Sequence, residues 1–467
     1  MFLNIQPANK TPLYIQIYQT IKEKIHNNDL QINEQLPSKR QLATANNVSE
    51  NTIMNAYDQL LIEGYIYSIE RKGYYVSEVD LQYDLPYLDE EITLSTEPTV
   101  KYDFTRSTPD ENIFPFSVFS KLYRHLFKNP DPNILSETDG QGLYALRVSL
   151  QHYLSLTRGV PCTTEQIILG PSTEYLLSIL LTLLKKNTTI GIEDPGYHGF
   201  QELFKRLNVS TIPIPVKKTG ADINVLSKSS VDLMLVTSNH QFPTGNIMPL
   251  QQRQELLQWA NKGENHYIIE NDYDSEFKYS GLPIPSLKYL DQDERVIHLG
   301  SFTRVLAPSL RLSYMVLPSQ LLEKYKETFS KQSSTLSTME QMIIHKFIEE
   351  GHFSTHLNRS RTFYKKKRDQ IIKAIKKQDK KAQIYGEKAG LHLLVQPSIV
   401  FNGQEFKKLA AEKQIKLNLL SDYSFQPEEK DENILFLSFS NIPVEQIEEI
   451  IQRIFELILL AAENDTM

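Results

Sequence analysis

Apolar residues recur every four positions near the start of the chain. This period places them on one face of an amphipathic helix. The first such positions are Leu13, Ile17, Ile21 and Ile25. Ser38, followed three residues later by Gln41, has the spacing of a capping box and predicts the start of a second helix.

A third helix is predicted to begin at Val48-Ser49, and Gly64 is expected to end it in the left-handed conformation that glycine adopts easily. Residues 65–69 and 73–76 alternate as strands do, with a charged tip between them. The pattern therefore predicts three helices followed by a hairpin.

Beyond residue 100, short apolar runs alternate with helical patterns. The runs are Ile190-Gly191-Ile192, Leu233-Met234-Leu235-Val236, Tyr267-Ile268-Ile269 and Val296-Ile297-His298-Leu299. Alternation of this kind is typical of an α/β fold with a mostly parallel sheet. Residues 79–100 are acidic and have no clear period, which predicts a linker. We therefore expect domains at 10–78 and 101–460, joined by the linker 79–100.

Composition agrees with a chain of at least two domains, because 467 residues exceed one ordinary core. No run of about 18 apolar residues is present, so no membrane span is expected. The N-terminus lacks the pattern of a secretory signal, and one cysteine cannot form an internal disulfide. These features favour the cytoplasm. The net charge of −7 argues against non-specific coating of nucleic acid, so any DNA contact must come from a local patch.

Such a patch is present in the first 78 residues. On the third helix, amide and hydroxyl side chains suit base edges. Basic residues lie at the start of the second helix, where phosphate is attracted, and at the hairpin tip. The candidate DNA-binding residues are Ser38, Lys39, Arg40, Ser49, Asn51, Thr52, Asn55, Arg71 and Lys72. The alternative is a small helical domain with a solvated polar face.

Four segments, at residues 36–43, 48–53, 60–65 and 73–76, resemble the GntR family of winged-helix regulators. The resemblance implies a winged helix-turn-helix that binds double-stranded operator DNA through Ser38, Arg40, Ser49, Asn51 and Thr52. Two features depart from the family. Glu50 stands where the family usually has arginine, and the hairpin tip carries Arg71-Lys72 instead of a glycine-rich turn.

Five further segments resemble the aminotransferase-like domain of MocR-type regulators, the GntR subfamily that includes GabR- and PdxR-like proteins. They are residues 139–147, 193–197, 240–245, 270–277 and 300–311. With the N-terminal match, the resemblance covers nearly the whole chain. It implies a fold-type I PLP-dependent-transferase-like domain, an α/β fold, and a homodimer.

The resemblance also implies a pocket for pyridoxal phosphate. Tyr197 matches the aromatic residue that stacks on the cofactor, and Tyr273 matches the tyrosine that bonds the ring hydroxyl. The remaining matched positions belong to the phosphate site, and they are Ser172, Thr173, Ser301 and Arg311. Glu174 replaces the glutamine of the family, which places an anionic group near a phosphate.

Three departures argue against transamination. Arg304 stands where the family has its Schiff-base lysine, and a guanidinium is no amine nucleophile. Asn271 stands where the pyridinium-pairing aspartate is expected, although Asp272 could serve if the register shifts by one residue. Phe436 occupies the position of the arginine that grips the substrate carboxylate. We therefore assign no catalytic residue and no metal.

The leading hypothesis is a transcription regulator that senses a small anionic ligand without turnover. The ligand could be pyridoxal phosphate, without an internal aldimine at position 304, or its amino-acid adduct. A different anionic metabolite, or no ligand, is the competing hypothesis. Two other functions stay open: a pyridoxal-phosphate aminotransferase with an accessory DNA-binding domain, and an architectural repressor whose large domain serves only for dimerisation.

Overall fold

A computed structural model describes residue 3 and residues 11–78, 100–279, 285–329 and 331–463. The chain divides into two compact units, Met1–Thr96 and Glu97–Met467. The predicted linker, 79–100, lies outside the described residues except for Val100. The proposed domain boundaries therefore stay a prediction.

The N-terminal unit contains three helices and a two-stranded antiparallel hairpin, as the sequence pattern predicts. The elements are α1 (Leu13–His26), α2 (Lys39–Asn46), α3 (Glu50–Ile62), β1 (Ile66–Ile69) and β2 (Gly73–Val76). Their apolar faces form one core, built around Ile17, Ile21, Leu42, Ile53, Tyr57, Leu60, Ile66 and Val76.

Local signals in the sequence fix the ends of these helices. Ser38 and Gln41 form the predicted capping box at the start of α2, and the Ser49 hydroxyl accepts a hydrogen bond from the Thr52 backbone N–H at the start of α3. Gly64 follows the end of α3 with φ of 78°, so the predicted left-handed stop is confirmed. Each of these capping features provides hydrogen-bond partners for backbone groups that a helix end leaves unpaired.

The larger unit alternates helices with strands. Its helices are α4 (Phe116–Lys128), α5 (Tyr144–Tyr153), α6 (Thr173–Leu183), α7 (His198–Arg206), α8 (Ile223–Lys228), α9 (Leu250–Lys262), α10 (Ser319–Phe329), α11 (Thr338–Glu349), α12 (His352–Gln378), α13 (Gly403–Glu412) and α14 (Ile447–Glu463). Its strands are β3 (Tyr102–Asp103), β4 (Ile167–Gly170), β5 (Ile190–Asp194), β6 (Thr211–Lys217), β7 (Gly220–Ala221), β8 (Leu233–Val236), β9 (Tyr267–Asp272), β10 (Val296–Ser301), β11 (Ser313–Val316), β12 (Gln383–Tyr385), β13 (His392–Gln396), β14 (Ile415–Lys416), β15 (Asn418–Leu419) and β16 (Leu435–Ser438).

The central sheet has the strand order β4-β11-β10-β9-β8-β5-β6-β7 within the described residues. Strands β10, β9, β8, β5 and β6 pair in parallel, while β11 pairs antiparallel with both β10 and β4. All four strands predicted from apolar runs lie in this sheet. Because the carboxyl ends of parallel strands share one edge, side chains that follow β5, β8, β9 and β10 converge there.

The C-terminal part forms a smaller antiparallel sheet in the order β12-β13-β16-β15. The 27-residue helix α12 and the terminal helix α14 belong to the same hydrophobic core as this sheet. This region thus combines a long helix with a smaller strand-and-helix subdomain. Among the described residues, no helix combines the length and apolarity that crossing a membrane requires.

Gly64 offers a test of the N-terminal unit. A Cβ at this position would meet nothing within 4 Å, so substitution adds backbone strain without a clash. Gly64→Ala should destabilise the unit by about 1 kcal/mol, because alanine resists the left-handed conformation. Urea unfolding of the full chain, followed by a probe in α3, measures the loss. Gly64→Asn is the matched control and should lose less, since asparagine tolerates positive φ; equal losses would contradict this explanation.

Candidate ligand pocket and nucleic-acid interface

The nine candidate DNA-binding residues all lie at least partly on the surface of the N-terminal unit. Ser38, Arg40, Ser49, Asn51, Asn55, Arg71 and Lys72 are exposed, and Lys39 and Thr52 are half-buried. They occupy the start of α2, the first turns of α3 and the turn between β1 and β2. This accessibility is what contact with a duplex needs, and the role of each residue in binding stays a prediction.

Aromatic contacts connect the hairpin to the two helices that carry most of these residues. Lys39 Nζ lies 5.2 Å from the centre of the Tyr74 ring, and Tyr57 packs edge-on against the same ring at 5.0 Å. The Tyr57 hydroxyl also donates to the Pro37 carbonyl at 2.8 Å. Tyr74 on β2 therefore contacts both α2 and α3, so the start of α2 is held against the hairpin.

The hydroxyls of Ser49 and Thr52 lie 2.8 Å apart at the start of α3. The Ser49 hydroxyl therefore caps the helix and is also hydrogen-bonded to the Thr52 hydroxyl. Arg71 at the hairpin tip has φ of 62°, a conformation that glycine would adopt with less strain. The tip of the hairpin thus keeps a basic side chain at a position where backbone conformation favours glycine.

The larger unit contains a cavity of about 250 Å³ at the carboxyl edge of the parallel strands. All eight residues that the resemblance assigns to the cofactor pocket border this cavity. They are Ser172, Thr173, Tyr197, Asn271, Tyr273, Ser301, Arg304 and Arg311. The structure therefore brings together positions that are up to 139 residues apart in sequence, and their role in binding stays a prediction.

One part of the cavity wall is rich in hydroxyl groups. Ser172 caps the N-terminus of α6, where its hydroxyl accepts from the Tyr175 backbone N–H at 3.1 Å. Ser313 donates to Ser301 at 3.1 Å, and Ser301 donates to Thr303 at 2.8 Å. Hydroxyls, a helix N-terminus and the Arg311 guanidinium are the groups that bind phosphate. The donor set in this wall therefore fits a phosphorylated ligand.

Another part of the wall is aromatic. The rings of Tyr197 and Phe242 meet edge-on at 6.0 Å, and Phe242 meets Tyr273 in the same way at 6.0 Å. Tyr273 is half-buried, and desolvation raises the pKa of its hydroxyl, so it keeps its proton. These residues provide flat apolar surface and a hydroxyl donor, which suit a small aromatic ring.

Arg304 lies above the Tyr273 ring, with its guanidinium carbon 4.7 Å from the ring centre. Its Nη1 atom is buried and has no hydrogen-bond partner. Among the described residues that border the cavity, none is a lysine. The wall therefore offers an anion-binding group at Arg304 and no amine that could bond covalently to an aldehyde. The residues fit a reversibly held pyridoxal phosphate and do not fit a covalent one.

The two candidates for a ring-nitrogen partner, the Asn271 amide and the Asp272 carboxylate, have different surroundings. Asn271 borders the cavity. The Asp272 carboxylate instead lies 2.6 Å from Nη2 of Arg158, where both side chains are buried. Arg158 also donates to Ser275, and the residue that follows it, Gly159, has the left-handed backbone conformation. Asp272 is thus engaged in a structural ion pair and does not border the cavity, whereas Asn271 does.

Sequence reasoning missed Glu193, which lies at the end of β5 and borders the cavity. Only 4% of the residue is exposed. Its Oε2 accepts hydrogen bonds from the Thr237 hydroxyl at 2.6 Å and the Thr237 backbone N–H at 3.0 Å, while Oε1 has no partner. Burial raises the pKa of Glu193 to about 7, against the opposing effect of these hydrogen bonds. A charged residue directly after an apolar strand run was the signal that could have identified it.

A buried cluster supports Tyr273 from behind. The Tyr273 hydroxyl lies 3.0 Å from His240 Nδ1, which is 2.9 Å from an oxygen of Asp274. His392 donates from Nε2 to the Pro243 carbonyl, and burial, followed by the charge of His240, lowers the pKa of His392 to about 3. Potential ligand atoms of His240, Asp274 and His392 lie within 4.8 Å of one another, as a metal site requires. A hydrogen bond joins His240 to Asp274, and the His392 ring packs against the His240 ring with 5.1 Å between the ring centres.

Phe436, at the position matched to the substrate-binding arginine, lies in an apolar cluster. Its ring packs against His392 at 4.8 Å, Tyr423 at 4.9 Å and Phe242 at 5.6 Å. Phe436 is 1% exposed and does not border the cavity. This region therefore supplies aromatic packing in place of a cation.

Together, the fold and site define a class of protein: a winged-helix unit linked to an aminotransferase-like unit whose cavity lacks a lysine in its described wall. Comparison with known proteins finds the same two parts. The family of bacterial regulatory proteins called gntR matches residues 13–76, and aminotransferase class I and II matches residues 104–454.

Similar proteins share both parts of the chain. The HTH-type transcriptional regulator YdeL of Bacillus subtilis is 36% identical over 93% of this chain and 95% of its own length. The probable rhizopine catabolism regulatory protein MocR of Rhizobium meliloti is 32% identical over 76% of this chain and 75% of its own length. The chain therefore belongs to the MocR-type subfamily of GntR-family HTH-type transcriptional regulators.

A solved structure establishes the same fold for the larger unit. The multiple substrate aminotransferase from Thermococcus profundus superposes with a TM-score of 0.70, covering 79% of this chain and 93% of the aminotransferase. Sequence identity is 23%. This similarity concerns the fold, and the regulator family accounts for the whole chain.

The raised pKa of Glu193 predicts a pH-dependent stability. The fold favours the protonated form, so this contribution is complete below the unfolded pKa of about 4.3 and is lost as the pH rises through 7. Glu193→Gln cannot ionise. Its stability relative to the natural protein should therefore increase by about 2 kcal/mol between pH 5 and pH 8, as urea unfolding at the two pH values would measure. Glu202→Gln, at an exposed position on α7, is the control; a Glu193→Gln difference that is constant with pH would contradict the assignment.

Proposed function

We propose that the protein is a DNA-binding transcription regulator whose cavity senses a phosphorylated aromatic ligand without chemical turnover. The observation that carries this proposal is the buried Nη1 atom of Arg304, which has no hydrogen-bond partner, in a cavity whose described wall contains no lysine. A guanidinium stays protonated and binds anions through a planar fork, but it does not act as an amine nucleophile. Ligand binding can therefore be reversible, as sensing requires.

The wall chemistry supports pyridoxal phosphate or a close relative as the ligand. Serine and threonine hydroxyls, the α6 N-terminus and Arg311 provide phosphate donors, and Tyr197 and Tyr273 provide flat surface and a hydroxyl. A regulator of pyridoxine biosynthesis, PdxR of Corynebacterium glutamicum, is 27% identical over 78% of this chain. The name of that relative connects the same architecture with the metabolism of this vitamin.

The N-terminal unit would bind double-stranded operator DNA through the residues of α2, α3 and the hairpin tip. We propose that the protein acts in the cytoplasm as a homodimer, so that two winged-helix units meet two half-sites. A ligand that prefers one dimer arrangement would change how the two units fit the operator. The arrangement favoured by the ligand sets whether expression rises or falls.

The two competing functions lead to different results with full-length protein. The experiment is a fluorescence-anisotropy titration of DNA selected from a random library by the natural protein, with and without pyridoxal phosphate. A shift in the operator midpoint supports sensing. An unchanged midpoint at saturating ligand would favour the architectural repressor. Turnover of an added amino acid with the same cofactor would favour the aminotransferase.

Arg40 is exposed at the start of α2 and tests the DNA surface. Arg40→Ala should weaken operator binding and flatten its dependence on salt by about one unit of the logarithmic slope, because one phosphate contact is lost. Anisotropy midpoints across a salt series measure this change. Lys24→Ala, on α1 of the same unit, removes an equal charge from outside the proposed surface; equal slopes for both variants would remove Arg40 from the interface.

A further inference from the structure

The cavity wall contains two cations, Arg304 and Arg311, and both lie in the connection between β10 and β11. Arg311 accompanies the hydroxyls of Ser301 and Ser313, a group suited to one phosphate. Arg304 instead lies over the Tyr273 ring. A ligand that pairs with each cation separately carries two anionic groups.

The buried Nη1 of Arg304 requires an acceptor. Without one, a buried charged donor costs free energy, which an anionic acceptor recovers more fully than a neutral carbonyl. The aldehyde of pyridoxal phosphate is a neutral acceptor. A carboxylate can accept from a guanidinium through two parallel hydrogen bonds. The wall at Arg304 is therefore better matched by a carboxylate than by an aldehyde.

The second anionic group must be carried by the ring, because the wall favours a single-ring ligand. Phe242, Tyr423 and Phe436 pack together where an aminotransferase would bind an amino-acid carboxylate. The cavity volume, about 250 Å³, is close to the lower limit of about 300 Å³ for ligand pockets. Both observations argue against an adduct that adds an amino acid to the ring.

Glu193 does not oppose an anionic ligand as strongly as an ordinary carboxylate would. Its Oε2 is held by Thr237, and burial raises its pKa to about 7. Much of the population is therefore neutral near neutral pH, and Oε1 has no hydrogen-bond partner. A neutral carboxyl can donate a hydrogen bond to a ligand acceptor.

We infer that the effector is a phosphorylated hydroxypyridine that carries a carboxylate at the ring position where pyridoxal phosphate carries its aldehyde, and that Arg304 selects it by forming an ion pair. This inference rests on the proposed function and on the match of Arg304 to the lysine position. Where a lysine would bond covalently to the aldehyde, Arg304 then forms an ion pair with the carboxylate that replaces it.

The test is isothermal titration calorimetry of the full-length protein with three probes: pyridoxal 5′-phosphate, pyridoxamine 5′-phosphate and 4-pyridoxic acid 5′-phosphate. The acid should bind at least about tenfold more tightly than the aldehyde, equivalent to about 1.4 kcal/mol. The amine should bind most weakly, because its ammonium would face Arg304.

Two variants separate the roles of the cations. Arg304→Gln should reduce the preference for the acid over the aldehyde to about twofold or less, whereas Arg311→Gln should weaken all three probes in parallel. Arg304→Lys supplies an amine that can condense with the aldehyde, so this variant should lose the preference for the acid. If Arg304→Gln fails to fold, the ratio of the affinities for the acid and the aldehyde, measured on the natural protein and on Arg304→Lys, still tests the role of Arg304.

The possible failures are distinguishable. Equal or tighter binding of the aldehyde by the natural protein overturns this inference and leaves the proposed function in place. A preference for the acid that survives Arg304→Gln overturns the role of Arg304. If none of the three probes binds the natural protein, both this inference and the proposed ligand class are overturned.

Discussion

A permanently charged side chain in a partly enclosed cavity is the constraint on which the functional account depends. Arg304 lies 4.7 Å above the Tyr273 ring and leaves one buried nitrogen without a partner. The aromatic ring stabilises the cation, yet it supplies no hydrogen-bond acceptor for that nitrogen. The Nη1 atom therefore favours binding of an anionic acceptor. The described wall of the cavity contains no amine nucleophile. Both properties favour reversible recognition over catalysis.

Support for this site comes from parts of the chain that are distant in sequence. Parallel pairing of β5, β8, β9 and β10 brings their carboxyl ends to one edge, and Tyr273 is held from behind by His240 and Asp274. The Arg158–Asp272 ion pair fixes the segment that follows β9. The larger unit therefore keeps the aminotransferase fold around this cavity.

Local signals made the N-terminal unit predictable. The four-residue apolar period, the Ser38–Gln41 capping box and Gly64 act over a few residues, so they can be identified without tertiary structure. The strands of the central sheet were also predictable, since buried parallel strands are short apolar runs. Pairings such as β3 with β14 were not, because they join Tyr102 to Ile415 and depend on the completed fold.

The candidate pocket was predictable at positions where a family resemblance marked the residues, and all eight such residues border one cavity. Glu193 was missed because an acidic residue after a strand has no fixed role until burial and Thr237 define its environment. The choice between Asn271 and Asp272 likewise needed the structure, since the ion pair between Asp272 and Arg158 joins residues 114 positions apart.

The most direct test of the central claim is intact-protein mass spectrometry after incubation with pyridoxal phosphate and borohydride, alongside equilibrium dialysis of the untreated complex. The account predicts that ligand is retained at equilibrium and is fully released on further dialysis, with no mass increase after reduction at any residue of the cavity. A stable mass increase that maps to any residue of the cavity would show covalent attachment and contradict the account.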